Sequence, residues 1–245
     1  LVCCPAVHLW TVMDAPSVNL GRDTGICMGK TLKLTAGTDK SFKYAWYKNP
    51  SSNIISTLNS ITIDSAGEYK AKVTNAFGCY GLDSIAVITF KLPAKPTISA
   101  GSATSFCKGD SVILSGPAGF KGYLWSDNSG NASLKVKTSQ NIRLKVRDQN
   151  GCESPFSDTV KIKVFALPQT PVIGYVGDTI LCDGDSVILT GPKSMKTYIW
   201  REGIGLERKV VQQSNWQYLT VIDSNNCKSA VSKTITIQVN TRPNK

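Results

Sequence analysis

Cysteine is the residue type with the clearest capacity for chemistry in this chain of 245 residues, which contains eight cysteines and one histidine. Six of the cysteines follow a repeated pattern, in which a cysteine precedes a Tyr-x-Trp sequence and a second cysteine follows it. The three copies contain Cys27, Trp46 and Cys79; Cys107, Trp125 and Cys152; and Cys182, Trp200 and Cys227. The second and third copies are separated by the same offset at every marker (182 − 107, 200 − 125, 227 − 152), which indicates one folding unit repeated in tandem.

The spacing of these cysteines favours disulfide bonds over a metal site. The cysteines lie far apart, no Cys-x-x-Cys pair occurs, and His8 is the only histidine, so we expect no metal and no other cofactor. Units of about 75–80 residues have small cores and usually need a covalent staple. We therefore predict one disulfide within each unit, in an oxidising and hence extracytoplasmic compartment. The predicted pairs are Cys27–Cys79, Cys107–Cys152 and Cys182–Cys227.

Cys3 and Cys4 lie outside the repeat, in an apolar segment at the start of the chain. Vicinal cysteines rarely bond to each other, because the bond would strain the peptide between them. Residues 1–16 are interpreted as an N-terminal extension or as the end of a preceding unit, and pairing of Cys3 or Cys4 with another chain is a further alternative. No apolar run reaches the roughly 18 residues that a membrane-spanning helix needs.

Alternation of apolar and polar residues, as in residues 142–147 and 160–164, predicts short strands with one buried face. Six or seven such strands per unit, with turns every 8–12 residues, are typical of a two-sheet sandwich. Proline-rich joints at residues 92–96 and 167–171 mark the boundaries. Because proline restricts the backbone and removes a hydrogen-bond donor, we expect an extended array of three domains: residues 17–93, 94–168 and 169–245.

A tryptophan on a central strand, combined with a disulfide, resembles the core of the immunoglobulin sandwich. In the first unit, residues 64–69 (DSAGEY) also resemble the tyrosine corner of that fold, which implies a core role for Tyr69. Ile142 and Gln217 occupy the place of Tyr69 in the other two units, and the second cysteines come later than in ordinary immunoglobulin domains. The resemblance therefore implies a disulfide near one end of each sandwich. The core tryptophans it implies are Trp46, Trp125 and Trp200.

The sequences around the cysteines narrow this resemblance. Residues 107–112 (CKGDSV) and 146–152 (VRDQNGC), with their counterparts in the other units, resemble tandem immunoglobulin-like repeats of Bacteroidota surface and secreted proteins. The resemblance covers residues 17–245. It implies an all-β chain of three tandem immunoglobulin-like β-sandwich domains, secreted through the type IX system. Proteins of this type are adhesins, gliding-motility filaments or spacer regions of secreted enzymes.

Catalysis is not expected, and no catalytic residue is predicted. A serine–histidine–acid triad needs a positioned base, and His8 stands alone in an atypical segment. A glycosidase would need two carboxylates facing one cleft. The acids here, such as Asp110 and Asp185, mostly lie in turn sequences, where aspartate binds its own backbone.

A basic strand is the first candidate for ligand contact. The net charge of +11 favours anionic partners. Arg143, Lys145 and Arg147 alternate, so they are predicted to share one face of one strand. This face is interpreted either as a site for an anionic glycan or as a solvated surface that resists edge pairing. Nucleic acid is not expected as a partner, since no aromatic residues are interleaved for base stacking.

Trp216 is the second candidate, because it lies outside the recurring core position. It is interpreted either as an exposed ring that stacks on a sugar or as a contact with an adjoining domain. The chain as a whole is predicted to be a non-catalytic spacer and adhesion segment of a bacterial surface adhesin or filament, with extracellular polysaccharide or protein partners and neighbouring domains of a longer parent chain. The alternatives are a carbohydrate-binding accessory region of a secreted polysaccharide-degrading enzyme and a structural subunit of a surface complex.

Overall fold

The computed structural model describes residues 14–241, and all regular secondary structure in this part of the chain is β-strand. The described residues divide into two compact units. The first contains the described residues up to Pro96 together with Ala118–Leu124 and Lys145–Phe156. The second contains Thr97–Pro117, Trp125–Leu144 and the described residues from Ser157 onward. The second sequence repeat thus contributes residues to both units.

The first repeat forms a sandwich of two sheets. Its strands are β1 (Thr24–Cys27), β2 (Leu32–Thr35), β3 (Lys43–Lys48), β4 (Ile54–Ser56), β5 (Ser60–Ile63), β6 (Gly67–Thr74) and β7 (Tyr80–Phe90). One sheet has the order β1-β7-β6-β3-β4, and the other consists of β2 and β5. The hydrophobic core draws on both sheets, since it contains Leu34 and Ile63 from the small sheet with Trp46, Val73 and Val87 from the large one.

The second repeat has eight short strands in three small sheets. They are β8 (Ser99–Ala100), β9 (Ser105–Cys107), β10 (Val112–Ser115), β11 (Gly122–Trp125), β12 (Ser133–Val136), β13 (Gln140–Ile142), β14 (Leu144–Arg147) and β15 (Val160–Phe165). The sheet orders are β12-β10-β8, β11-β14 and β13-β15-β9. Alternate residues within 142–147, namely Ile142, Leu144 and Val146, are fully buried, as the period-two pattern predicts.

The third repeat has nine strands in three sheets. They are β16 (Gly174–Val176), β17 (Ile180–Cys182), β18 (Val187–Thr190), β19 (Thr197–Trp200), β20 (Gly203–Gly205), β21 (Arg208–Val211), β22 (Asn215–Gln217), β23 (Leu219–Ile222) and β24 (Ile235–Asn240). The sheet orders are β16-β18-β21, β17-β24-β22 and β20-β19-β23. A hydrophobic cluster that includes Val187, Trp200, Leu219 and Ile237 draws on all three.

The three recurring tryptophans occupy the same place in their repeats. Each is almost completely buried, and each indole N–H donates to a backbone carbonyl further along the chain. The donor–acceptor pairs are Trp46 to Leu58 (2.8 Å), Trp125 to Asn131 (2.7 Å) and Trp200 to Leu206 (2.9 Å). Burial of a large ring whose only polar group is satisfied explains why this residue recurs in each core.

Tyr69 forms a tyrosine corner. It is buried in β6, and its hydroxyl donates to the carbonyl oxygen of Ser65 at 2.9 Å. The Ser65 hydroxyl lies 3.3 Å from the Tyr69 hydroxyl. A tyrosine that binds backbone a few residues upstream at this corner is a hallmark of the immunoglobulin sandwich. The buried tryptophan, the two-sheet core and this corner together define the fold of the first repeat as immunoglobulin-like.

Buried serines take the place of a regular strand in the second and third repeats. In the second, the backbone N–H groups of Val146 and Leu144 donate to the hydroxyls of Ser154 (3.0 Å) and Ser157 (2.9 Å). Each hydroxyl in turn donates to the following residue's carbonyl oxygen at 2.8 Å. Ser229 and Ser232 repeat this arrangement in the third repeat. The first repeat instead continues as the regular strand β7.

Each repeat closes with the same parallel pair. The pairs are β1 with β7, β9 with β15, and β17 with β24. The first cysteine of each repeat ends its strand in the same register, so Cys27 pairs with Phe90, Cys107 with Phe165 and Cys182 with Asn240. The described chain is therefore an all-β array of tandem immunoglobulin-like repeats.

Candidate functional site

The described disulfides join successive repeats, and the predicted pairing is wrong. Cys27 is bonded to Cys152, and Cys107 is bonded to Cys227, each with Cα atoms 5.5 Å apart. Cys182 is a free and exposed cysteine. Cys79 is disulfide-bonded, but Cys27 is not its partner. None of the predicted pairs Cys27–Cys79, Cys107–Cys152 and Cys182–Cys227 forms, so the repeats are not covalently self-contained.

The length of the last strand of the first repeat explains why Cys27 and Cys79 do not form the predicted disulfide. Cys27 lies opposite Phe90 at the end of β7, whereas Cys79 directly precedes the start of that strand. The 11 residues of β7 span about 35 Å. A disulfide needs Cα atoms within about 7 Å, so the two cysteines of this repeat lie at opposite ends of the fold and cannot bond.

The second and third repeats have a similar separation. The interval along the chain from Cys152 to Phe165 equals the interval from Cys227 to Asn240, and both slightly exceed the interval from Cys79 to Phe90. Phe165 and Asn240 are the parallel partners of Cys107 and Cys182. In both disulfides whose partners are described, the first cysteine of one repeat is bonded to the second cysteine of the next.

Each second cysteine is held by the same aspartate or asparagine turn. The side-chain oxygen of the residue four positions earlier accepts the cysteine N–H, and that residue's own N–H donates to the cysteine carbonyl oxygen at 3.0 Å. The turn includes a residue with positive φ directly before the cysteine, which glycine and asparagine tolerate. The side-chain acceptors are Asn75 for Cys79 (3.0 Å), Asp148 for Cys152 (2.8 Å) and Asp223 for Cys227 (2.8 Å).

Each first cysteine also has a common backbone setting. Its carbonyl oxygen accepts the N–H of the residue three positions later, across a glycine with positive φ. The pairs are Lys30 to Cys27 (2.9 Å), Asp110 to Cys107 (3.1 Å) and Asp185 to Cys182 (3.0 Å). The free Cys182 therefore has the same local backbone arrangement as the two bonded first cysteines.

The predicted basic strand is interrupted and partly neutralised. Arg143 lies between β13 and β14, where the chain leaves the sheet of β15 and enters that of β11, so the three basic residues do not share one strand. Arg147 donates to Glu153 at 2.6 Å, and the ammonium of Lys145 lies 3.7 Å from the same carboxylate. Lys145 also lies over the ring of Phe156, 4.7 Å from its centroid.

Glu153 is an acidic residue that directly follows Cys152 of the first bridge. The hydrogen bond from Arg147 lowers the pKa of Glu153 below its ordinary value, although burial acts in the opposite direction. The charges of Arg147, Lys145 and Lys30 lower this pKa further. Glu153 directly follows Cys152, and Lys30 lies three residues after Cys27. The first bridge therefore has a basic residue shortly after one cysteine and an acidic residue directly after the other.

Trp216 lies on β22 and is 46 % exposed. The guanidinium carbon of Arg201 is 4.4 Å from its ring centroid, which is a cation–π contact. The ring of Tyr218 is 5.6 Å away and tilted by 32°. These partners belong to the same repeat, and they orient an aromatic surface that remains half open to solvent.

A polar network surrounds the buried amide of Gln217, the residue after Trp216, and the sequence did not predict it. Gln217 is completely buried; its amide donates to Glu202 at 2.7 Å and to Asn215 at 3.2 Å, and its oxygen accepts from Lys209 at 2.9 Å. Lys209 also forms an ion pair with Glu202. Burial raises the pKa of Glu202, but the hydrogen bonds from Lys209 and Gln217 outweigh it, so the pKa is lowered overall. The available signal was a glutamine at the core position that Tyr69 and Ile142 hold elsewhere.

Residues 14–241 contain no group of three or more histidine, cysteine or acidic side chains placed to hold a metal ion. Nor do they form a helix with the length and hydropathy that crossing a bilayer requires.

Neither a known protein family nor a curated protein matches the sequence. Among solved structures, the fold is similar to an I-band fragment of titin, with 14 % identity and a TM-score of 0.38 over 95 % of this chain and 100 % of that one. It is similar to a structure from a 1.5-MDa bacterial ice-binding adhesin, with 12 % identity and a TM-score of 0.40 over 89 % of this chain and 94 % of that one. A third is SGBP-B of the Bacteroides ovatus mixed-linkage glucan utilization locus, with 12 % identity and a TM-score of 0.25 over 95 % of this chain and 70 % of that one.

Proposed function

We propose that this chain is a non-catalytic, extracellular segment of a bacterial surface adhesin or filament, in which three immunoglobulin-like domains (17–93, 94–168 and 169–245) act as spacer and adhesion modules. Its setting in a gliding or adhesive protein of Bacteroidota, exported by the type IX system, belongs to the same proposal and rests on the sequence resemblance. The observation that carries the spacer role is the covalent linkage of successive repeats by Cys27–Cys152 and Cys107–Cys227. Such bonds persist outside the reducing cytosol.

The two bridges close overlapping loops of 125 and 120 residues. Fully extended, the backbone from Cys27 to Cys227 would measure about 660–720 Å, at roughly 3.3–3.6 Å per residue. With both bridges closed, the shortest covalent route crosses from Cys27 to Cys152, returns along 45 residues (152 − 107) to Cys107, and crosses to Cys227. Under tension, the closed bridges would therefore prevent most of the backbone between Cys27 and Cys227 from extending, even if the domains unfolded. Limited extension under load suits a load-bearing spacer.

Single-molecule force spectroscopy tests this role. With both bridges closed, the unfolded span from Cys27 to Cys227 should extend to about 150–160 Å. Removing one bridge leaves a route of 75 or 80 residues (227 − 152 or 107 − 27) and an extension of about 250–290 Å. Removing both should allow the full extension of about 660–720 Å. All variants carry Cys79→Ser, with free thiols alkylated, so that no other disulfide adds a route.

The gain in extension from removing both bridges should thus be much larger than the sum of the two single gains, because either bridge alone still prevents most of the extension. Equal, additive gains would mean that the loops do not overlap, and the covalent basis of the spacer role would be lost. Unfolding forces no higher after oxidation than after reduction would likewise count against load bearing.

A carbohydrate-binding accessory role is the second candidate, and the half-open ring of Trp216 favours it. Arg201 and Tyr218 hold this ring in place, and an oriented aromatic face can stack on a sugar ring. A glycan array with the intact chain should then give saturable binding that Trp216→Ala abolishes. Val210→Ala, another exposed apolar position of the same repeat, is the control and should leave binding unchanged. Binding that survives Trp216→Ala would remove this candidate.

A further inference from the structure

We propose that Cys182 is the bonding point for a further immunoglobulin-like unit that follows in tandem, and that its partner is the second cysteine of that unit. The inference rests on the bridging pattern within this chain and is independent of the proposed function. It concerns a thiol that is exposed and unbonded in the structure.

The first support is that Cys27 and Cys107, the residues equivalent to Cys182, both form disulfides. Cys27, Cys107 and Cys182 end corresponding strands, each paired in parallel with the end of the last strand of its repeat. Both Cys27 and Cys107 are bonded to the second cysteine of the next repeat. These two residues are partly buried, whereas Cys182 is exposed. The same backbone position thus forms the same type of bond wherever a following repeat is present in the described chain.

The second support is that an intrarepeat partner is out of reach. Cys227, the second cysteine of the third repeat, is already bonded to Cys107. It also precedes β24 by several residues, while Cys182 pairs with Asn240 at the far end of that strand. The geometry therefore directs Cys182 away from its own repeat.

The charges beside the bridges specify the partner more closely. At the first bridge, Lys30 follows Cys27 by three residues, and the oppositely charged Glu153 directly follows its bonding partner Cys152. At the second bridge, the corresponding positions hold Asp110 and Lys228, so the two charges are exchanged. Asp185 occupies this position after Cys182. Opposite charges steer and stabilise a contact, so the partner cysteine should be followed by lysine or arginine.

The expected partner is thus a cysteine in a turn that begins with aspartate or asparagine four residues earlier, has glycine or asparagine directly before the cysteine, and has a basic residue after it. Formation of the bond is a two-electron oxidation of the two thiols, with release of two protons. Oxidised glutathione supplies the oxidising equivalent by thiol–disulfide exchange and leaves as two reduced glutathione molecules.

The test replaces residues 242–245 with a copy of residues 167–245 joined directly after Thr241, which reproduces the spacing between the second and third repeats. The protein is equilibrated in a glutathione buffer, its free thiols are alkylated, and unreduced peptides are mapped. The expected result is a bond from Cys182 to the cysteine of the appended copy that corresponds to Cys227. The bonds Cys27–Cys152 and Cys107–Cys227 serve as internal controls for folding.

A second extended chain carries a copy of residues 92–166 instead, so that the result does not depend on the folding of one appended unit. Its second cysteine is followed by the copy of Glu153, which repels Asp185, so bridging should be several-fold less complete. Glu153→Lys in the appended copy should restore it. If Cys182 remains alkylated in both extended chains while the control bonds are intact, the proposal is overturned. Equal bridging by the two copies would overturn the charge rule.

Discussion

The Cα atoms of Cys107 and Cys227 lie 5.5 Å apart, although 120 residues separate them along the chain. Cys152, which is much closer to Cys107 in sequence, is bonded instead to Cys27. The segment between Cys107 and Cys152 therefore belongs to both closed loops. Because of this overlap, neither bridge is confined to a single repeat.

Loss of the second bridge should destabilise the protein. Cys107→Ser combined with Cys227→Ser opens a loop of 120 residues, so the unfolded chain gains freedom and the free energy of unfolding should fall by about 2–5 kcal/mol. Denaturant unfolding measures this change. Cys182→Ser is the matched control, because it removes an exposed free thiol and should change stability by less than about 0.5 kcal/mol. Similar effects of the two changes would contradict the pairing.

Ser232, one of the two buried serines of the third repeat, should also contribute to stability. Ser232→Ala leaves the buried N–H of Leu219 without the acceptor that it has at 2.9 Å. An unsatisfied buried donor costs about 1–3 kcal/mol, which a urea titration can measure. Ser224→Ala, at an exposed turn position, should have little effect. If Ser232→Ala left the free energy of unfolding unchanged, the hydroxyl of Ser232 would not be acting in place of a strand partner.

The tyrosine corner of the first repeat predicts a smaller effect. Tyr69→Phe keeps the buried ring but removes the hydrogen bond from the hydroxyl to the carbonyl oxygen of Ser65. The free energy of unfolding should fall by about 0.5–1.5 kcal/mol with an unchanged denaturant dependence. Tyr47→Phe, a half-buried position on β3, provides the comparison. An equal loss in both variants would argue against a special role for the corner.

The ion pair beside the first bridge should make stability depend on pH. Because the pKa of Glu153 is lowered in the folded protein, its contribution is present above the ordinary value of 4.5 and is lost as the pH falls through the folded-state value. At pH 7 the free energy of unfolding of the wild type should exceed that of Glu153→Gln by less than about 1 kcal/mol, since the Arg147–Glu153 ion pair is exposed to solvent. Below the folded-state pKa the two proteins should converge.

The control for this effect is the same substitution in an Arg147→Gln background, where the strongest hydrogen bond to the carboxylate is absent. There the difference between glutamate and glutamine at position 153 should be smaller at neutral pH. A difference that stays constant from pH 7 to strongly acidic pH would assign it to a cause other than this ion pair.

Local pattern was sufficient to predict much of the core, although residues 142–147, predicted as one strand, belong to the two strands β13 and β14. Period-two alternation places Ile142, Leu144 and Val146 inside, and the recurring Tyr-x-Trp predicts the buried positions of Trp46, Trp125 and Trp200. These features depend on neighbours within a few residues or on one strand. For that reason they can be read from composition and spacing.

Some polar interactions could not be predicted from local pattern, because the interacting residues lie several positions apart in the sequence. Glu153 partly neutralises Lys145 and Arg147 because its segment returns beside β14. Gln217 is tolerated in the core only because Glu202 and Lys209 reach it from other parts of the repeat. The repeated serines after Cys152 and Cys227 were visible in the sequence, but their role as acceptors for a neighbouring strand follows only from the three-dimensional arrangement.

The sequence by itself determined that the chain is a tandem β-sandwich array and which cysteines are equivalent. Only the tertiary structure decided which sulfurs meet, because a disulfide depends on distance through space. In the first repeat the last strand separates Cys79 from the end at which Cys27 lies, and Cys27 and Cys107 are each bonded to a cysteine of the following repeat.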